Sequence, residues 1–129
     1  MHSPFVSSTF LLLLLIFSPA VLHAKRLAPK PVAPVTHEGL SYSAPHDIGG
    51  GKVYVSIHNT KTNLRSARVL IYEIKYNPEL ERDVQDVYIV SLATDKKKNR
   101  LVITDERKRV YFMDLETRKV TTSRPPKQK

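Results

Sequence analysis

Apolar and polar residues alternate with a period of two through the middle of the chain, which is the pattern of a half-buried β-strand. Val53, Val55 and Ile57 alternate with more polar neighbours and predict a strand over residues 53–58. Residues 68–76 repeat the pattern and predict a second strand. Its uniformly apolar or aromatic set is expected to face the core and comprises Leu70, Tyr72, Ile74 and Tyr76.

Three further strands are expected beyond residue 76. Asn77 and Pro78 are typical of a helix start, so one helical turn is predicted through about residue 82. Residues 85–92, 100–104 and 110–115 then predict strands separated by polar turns. The result is an all-β fold, a small antiparallel meander of about five strands in one blade-like sheet. The expected core residues are Tyr72, Ile74, Val87, Ile89, Leu101, Ile103, Tyr111 and Met113.

The expected β domain covers residues 52–121, with one segment before it and another after it. Residues 25–51 contain four prolines and the run Gly49–Gly51, so they are expected to form an extended proline-rich arm. Residues 122–129 are basic and contain proline, which indicates a flexible tail.

A domain of about 70 residues is at the low end for a self-sufficient core. The chain has no cysteine, so no disulfide can reinforce it. Either the core suffices, or the arm, a metal, a partner or a second copy completes it. Both faces of the strand at 68–76 carry apolar residues, so we expect self-association or an envelope protein partner to cover one of them. Docking the arm is less favourable because the glycines at its base lose more backbone entropy.

The first 24 residues have the pattern of a secretory signal peptide. Residues 10–17 form an uncharged apolar run, followed by the helix-breaking Ser18 and Pro19 and by the small Ala24 at the expected cleavage position. An uncleaved anchor is the alternative, but it requires about 20 apolar residues. The sequence therefore predicts export, to the periplasm or the medium, with no membrane span after cleavage.

The formal net charge of +9 is compatible with binding to a polyanion such as an acidic glycan or lipid headgroups. Two basic clusters flank the strand predicted at 100–104, so they are expected at its opposite ends, about 17 Å apart. That separation disfavours one compact anion pocket. Charged turns that prevent edge-to-edge aggregation are the alternative explanation. The candidate residues are Lys96, Lys97, Lys98, Arg100, Arg107, Lys108 and Arg109.

Three histidines are the candidates for a metal site. His37 and His46 each precede a carboxylate residue, and His58 lies on the first predicted strand. No ordered element fixes the separation of His37 and His46, so no metal, cofactor or catalytic residue is assigned. Gly49–Gly51 precede a strand rather than a helix, which argues against a nucleotide site. No serine has the Gly-x-Ser-x-Gly context of a nucleophile elbow.

Residues 110–120 read Val-Tyr-Phe-Met-Asp-Leu-Glu-Thr-Arg-Lys-Val and resemble the strand–turn–strand repeat of quinoprotein-type β-propellers. In that repeat a Val-Tyr strand is followed by Asp, a Thr-Gly turn and Lys-Val; Arg118 stands where the family has glycine. The resemblance covers about a dozen residues, is echoed weakly from residue 53, and implies one blade-like sheet without a quinone site. Residues 33–45 resemble small exported bacterial proteins of an uncharacterised family, which implies no activity.

These features favour a non-catalytic exported binding or assembly module of the bacterial envelope. A polyanion-binding accessory protein is the first alternative, and a His-dependent metalloenzyme is the second. A nucleotide partner is not expected.

We expect the exported protein to begin at Lys25, because the apolar run ends at Ser18 and Pro19 and a small residue precedes the cut. Intact-mass analysis of envelope material measures this directly. A mass that still includes residues 10–17 would instead identify the segment as a retained anchor.

Overall fold

The computed structural model describes residues 26–123, and eight β-strands organise them. The predicted signal peptide and residues 124–129 of the predicted tail lie outside the described residues. Short 3-10 helices occur at Gly49–Gly51 and Asp83–Gln85, and no helix within 26–123 is long and apolar enough to cross a membrane. The strands are β1 (Val35–His37), β2 (Leu40–Ser43), β3 (Lys52–Asn59), β4 (Arg65–Glu73), β5 (Ile89–Asp95), β6 (Arg100–Asp105), β7 (Val110–Asp114) and β8 (Val120–Thr122).

The strands form two four-stranded antiparallel sheets, each a simple meander. Sheet A has the order β1-β2-β3-β4 and sheet B the order β5-β6-β7-β8. The predicted all-β class is confirmed. The predicted single sheet of about five strands is not what forms, because three additional strands are present and the chain divides between two sheets.

The β1–β2 hairpin lies in the segment that was expected to be an extended arm. Glu38 and Gly39 connect the strands as a two-residue turn, with φ of 48° and 76°, and His37 pairs with Leu40. Positive φ at both central residues is the geometry that matches the twist of a hairpin. The prolines bound this hairpin rather than interrupt it; they are Pro29, Pro31 and Pro34 before β1 and Pro45 after β2.

The connection between the sheets replaces the predicted helical turn. The side chain of Gln85 accepts a hydrogen bond from the backbone N–H of Asn77 at 2.7 Å and donates to the Asn77 carbonyl at 3.0 Å. The same amide donates to the carbonyls of Leu80 and Glu81. This loop therefore closes around Gln85, and β5 begins at Ile89 rather than near residue 85.

The two sheets pack against each other across one core. Sheet A contributes residues such as Val55 and Ile57, and sheet B contributes Leu101 and Ile103. Burying such a side chain stabilises the fold by about 1.5–3 kcal/mol. The second sheet thus covers the apolar face of the first. Of the predicted core, Val87, Ile89, Leu101, Ile103, Tyr111 and Met113 are buried, and Tyr72 and Ile74 are partly buried against the cluster.

The predicted core face of β4 is wrong in part. Leu70 is 43% exposed, whereas Ile71, assigned to the opposite face, is 7% exposed. Val53 pairs with Tyr72 while the next residue, Tyr54, pairs with Leu70. Ile71 is therefore the extra residue of a β-bulge, which lets Ile71 and Tyr72 both contact the core.

Four hairpin turns share one construction. The strand ends in Asn or Asp, whose side-chain oxygen accepts a turn amide, as Asn59 does from Lys61 at 2.9 Å and Asp114 from Thr117 at 2.8 Å. The turn amides that Asp114 accepts hold the pKa of its carboxyl below the ordinary value. Each turn then has one non-glycine residue at positive φ: Asn63, Asn99, Lys108 and Arg118, with φ of 55°, 48°, 63° and 62°.

Asp105 is the only charged residue among the fully buried side chains described, with 0% exposure. Its carboxylate accepts hydrogen bonds from the backbone amides of Arg107 and Arg109 at 2.8 and 3.0 Å. It also accepts from Arg109 Nε at 2.7 Å and from the Tyr111 hydroxyl at 3.1 Å. Burial, with the charge of Asp105, raises the pKa of Tyr111 to about 12, so its hydroxyl stays a donor at neutral pH.

Arg118→Gly is expected to raise the free energy of unfolding by about 0.5–1 kcal/mol, because glycine adopts positive φ without the steric cost of a side chain. Urea denaturation measures the change. Arg107→Gly is the matched control: Arg107 is not among the residues with positive φ, so glycine should destabilise there. Equal effects of both variants would contradict the assignment of strain to Arg118.

Asp105→Asn is expected to lower the free energy of unfolding by about 2–4 kcal/mol, because an amide cannot accept all four hydrogen bonds and is left partly unsatisfied in the core. Asp114→Asn is the control and should cost much less, since Asn59 already performs the same two-amide role. Equal losses in the two variants would show that burial of Asp105 is unimportant.

Candidate functional site

Hairpin turns from both sheets meet at one end of the molecule. In sheet A, Thr60 donates to the Gly39 carbonyl from both its backbone N–H, at 3.0 Å, and its hydroxyl, at 2.9 Å. This joins the β3–β4 turn to the β1–β2 turn. In sheet B, the N–H of Leu115 donates to the Asn99 carbonyl at 3.1 Å and joins the β7–β8 turn to the β5–β6 turn.

One cavity connects these two pairs of turns. It has a volume of about 380 Å³ and is lined by residues of both sheets. Burial raises the pKa of Tyr42 in its wall, and the charge of Arg118 partly opposes this shift. The four turns therefore form a single surface. The lining residues are His37, Glu38, Leu40 and Tyr42 from sheet A and Asn99, Leu115 and Glu116 from sheet B.

Three of the four turns carry exposed cations, and we name this surface the basic end. Glu38 and Glu116 are exposed nearby, and Asp95 is paired with Arg100, so cations outnumber free carboxylates. Because strands fix the spacing of the turns, the charges sit on a rigid platform. The basic end comprises Lys61, Lys96, Lys97, Lys98, Arg118 and Lys119.

Arg100 of the first predicted cluster is held against sheet B rather than pointing freely into solvent. Its Nε donates to Asp95 Oδ2 at 3.2 Å, and its guanidinium carbon lies 3.7 Å from the centroid of the Phe112 ring. Beside it, a shallow cavity of about 270 Å³ includes Lys98 and Lys119 in its lining. Lysines from two different turns thus converge next to an aromatic ring.

The second predicted cluster lies at the other end of β6, so the structure does not bring the two clusters together. Arg107 and Lys108 are exposed, whereas Arg109 is engaged with the buried Asp105. All three line a cavity of about 540 Å³ that extends toward β8. The clusters predicted from sequence do not include Lys61, Arg118 and Lys119, because these residues join Lys96–Lys98 only through the folded turns. The repeated spacing from Asn or Asp to the turn is the sequence signal that groups them.

The three candidate metal histidines occupy separate places. His37 Nε2 lies 3.7 Å from Glu38 Oε1, and the ring of His46 packs at 4.8 Å from that of Tyr88. His58 lies on β3 between Ser41 and Arg65. Within residues 26–123, no group of three His, Cys, Asp or Glu side chains could hold a metal ion.

Searches against protein-family models, curated proteins and solved structures find no match to this chain.

Proposed function

We propose that this protein is a non-catalytic binding module of the bacterial envelope that holds a polyanion, such as an acidic glycan or a lipid headgroup surface, on its basic end. The observation that carries the proposal is the convergence of hairpin turns from both sheets at one surface. Six exposed cations lie there: Lys61, Lys96, Lys97, Lys98, Arg118 and Lys119.

Charge density, rather than a deep pocket, is what this surface offers a ligand. Flexible lysines adapt to an extended chain of anions, and their summed field accelerates encounter. Binding of this kind releases counterions, so affinity should fall steeply as salt rises. A rigid scaffold with charged turns suits a repeating polymer better than a single small molecule.

Export is part of the proposal and is supported by the sequence of residues 1–24. The chain joins the folded body immediately after the expected cleavage position. The guanidinium of Arg26 donates to the Asp86 carbonyl and to the Glu106 carboxylate, and it lies 5.9 Å from the centroid of the Tyr88 ring. Because Arg26 already contacts the folded body, that body closely follows the predicted signal peptide, as a short exported module requires.

The blade-like architecture of the sheets does not itself point to a function. Each sheet is a four-stranded antiparallel meander, which is the strand number and connectivity of a propeller blade. A propeller takes at least four blades, so two such sheets do not make one. The proposal therefore rests on the surface of the turns and not on that resemblance.

Replacing Lys96, Lys97 and Lys98 together with Gln is expected to reduce affinity for heparin, used here as a soluble polyanion. The slope of log affinity against log salt should fall by up to about three, since each lost cation removes about one released counterion. Affinity measured at several salt concentrations gives both quantities.

The matched control replaces Lys30, Lys52 and Lys75 with Gln. All three are exposed, and none belongs to the turns of the basic end. The control has the same net charge as the test variant. If both variants lose affinity equally, retention reports net charge alone and the basic end is not a binding surface.

A further inference from the structure

A second polar surface lies on the outer face of sheet A, facing away from the core. On β3, Ser56 and His58 alternate with the buried Val55 and Ile57, so they occupy the outward positions. Ser56 pairs with Ser43 of β2 on one side and with Arg68 of β4 on the other. His58 pairs with Ser41 and Arg65 in the same way. Three adjacent strands therefore present hydroxyl, imidazole and guanidinium groups in neighbouring rows.

The loop after β2 contributes Pro45 and Asp47 to the wall of a pocket beside these rows. The pocket has a volume of about 230 Å³ and is distinct from the cavities at the basic end. Ser56 and His58 of β3, and Arg65 and Arg68 of β4, form the strand side. The full lining is Ser43, Pro45, Asp47, Ser56, His58, Arg65 and Arg68.

Within residues 26–123, the polar groups on the strand side of this pocket form no hydrogen bonds or ion pairs through their side chains. Ser56 is only 4% exposed, yet no hydrogen bond joins its hydroxyl to another described residue. Arg65 and Arg68 make no ion pair there either, although Arg68 is held over the Tyr54 ring at 4.1 Å. The hydroxyl of Ser56 therefore lines the pocket without a hydrogen bond to a described residue, beside two guanidinium groups that form no ion pair there. Donors that the protein does not use are available to a ligand.

We propose that this pocket binds a tetrahedral oxyanion, the phosphate or sulfate group of a larger molecule. Arg65 and Arg68 present guanidinium N–H groups that match such an anion. The hydroxyl of Ser56 donates from the floor, and His58 donates from the adjacent row. Donors from several strands suit an anion with four oxygens better than a carboxylate with two.

Asp47 is the one negative charge in the lining, and its exposed carboxylate lies at the rim. It opposes an anion electrostatically and so limits affinity. Removing the charge of Asp47 should therefore raise the affinity for the anion, whereas removing any of the donors should lower it. If this surface bound no anion, neither substitution would change anion binding.

Isothermal titration calorimetry of the purified protein with inorganic phosphate, and separately with inorganic sulfate, tests the site at constant ionic strength. We expect saturable binding of one anion per chain. Arg65→Gln and Arg68→Gln should each weaken it about tenfold, because each removes a charge-assisted pair of donors. Arg107→Gln removes the same charge at a distant turn and should leave the dissociation constant within about twofold.

Two further variants sharpen the outcome. Ser56→Ala should weaken binding several-fold, and Asp47→Asn should strengthen it. Preference for phosphate or for sulfate identifies which group the natural ligand carries. The proposal is wrong if neither anion binds more tightly than about 10 mM, or if Arg107→Gln weakens binding as much as Arg65→Gln does.

This site does not depend on the basic end. The variant lacking Lys96, Lys97 and Lys98 should bind inorganic phosphate as the unchanged protein does, while Arg68→Gln should keep most of its heparin affinity. If the lysine variant loses phosphate binding, the pocket is not a separate site. If that variant keeps its affinity for both phosphate and heparin, only the polyanion proposal fails.

Discussion

The buried carboxylate of Asp105 is the interaction on which the packing of the two sheets depends. A charge with no exposure is tolerated only when its lone pairs are filled, and here two amides, a guanidinium and a phenol fill them. The phenol belongs to Tyr111, whose ring stacks on Tyr72 of sheet A at 5.0 Å. Tyr72 in turn donates to the Val87 carbonyl at 2.5 Å. One carboxylate therefore closes the β6–β7 turn and, through two tyrosines, links sheet B to sheet A and to the connection between them.

The same turn chemistry, used at the surface, arranges the charges of the basic end. Asn59, Asp95 and Asp114 satisfy turn amides and leave the remaining turn residues free to be basic. Arg118 occupies positive φ, where glycine would be more stable. Keeping a cation at a strained position costs stability and gains surface charge, which is the compromise often found at binding surfaces.

The two candidate surfaces differ in physical character. The basic end has many exposed lysines and no deep enclosure, so it suits an extended polyanion. The pocket on sheet A has two arginines and the hydroxyl of Ser56 on adjacent strands, so it suits one oxyanion. They lie on the same scaffold, so one glycan or lipid carrying phosphate or sulfate groups is able to contact both.

Much of sheet B follows from sequence alone, because period-two alternation is a local property. Leu101 and Ile103 on one strand, and Tyr111 and Met113 on the next, are predicted and found in the core. The all-β class and the capping by Asp114 are local in the same sense, since an Asx side chain reaches only the next few amides.

Tertiary structure decided the rest, because the deciding contacts join residues far apart in the chain. The hairpin at 35–43 contains no proline, but only pairing with β3 makes a strand of it. The bulge at Ile71 reverses which β4 residues are buried, and alternation cannot reveal a bulge. Lys61, Lys96 and Arg118 become one surface only when the turns of two sheets meet, and Ser56 acquires Arg68 as a neighbour only across a strand pair. Local pattern determined the strands and their facing residues; packing between strands determined the sheets and both candidate sites.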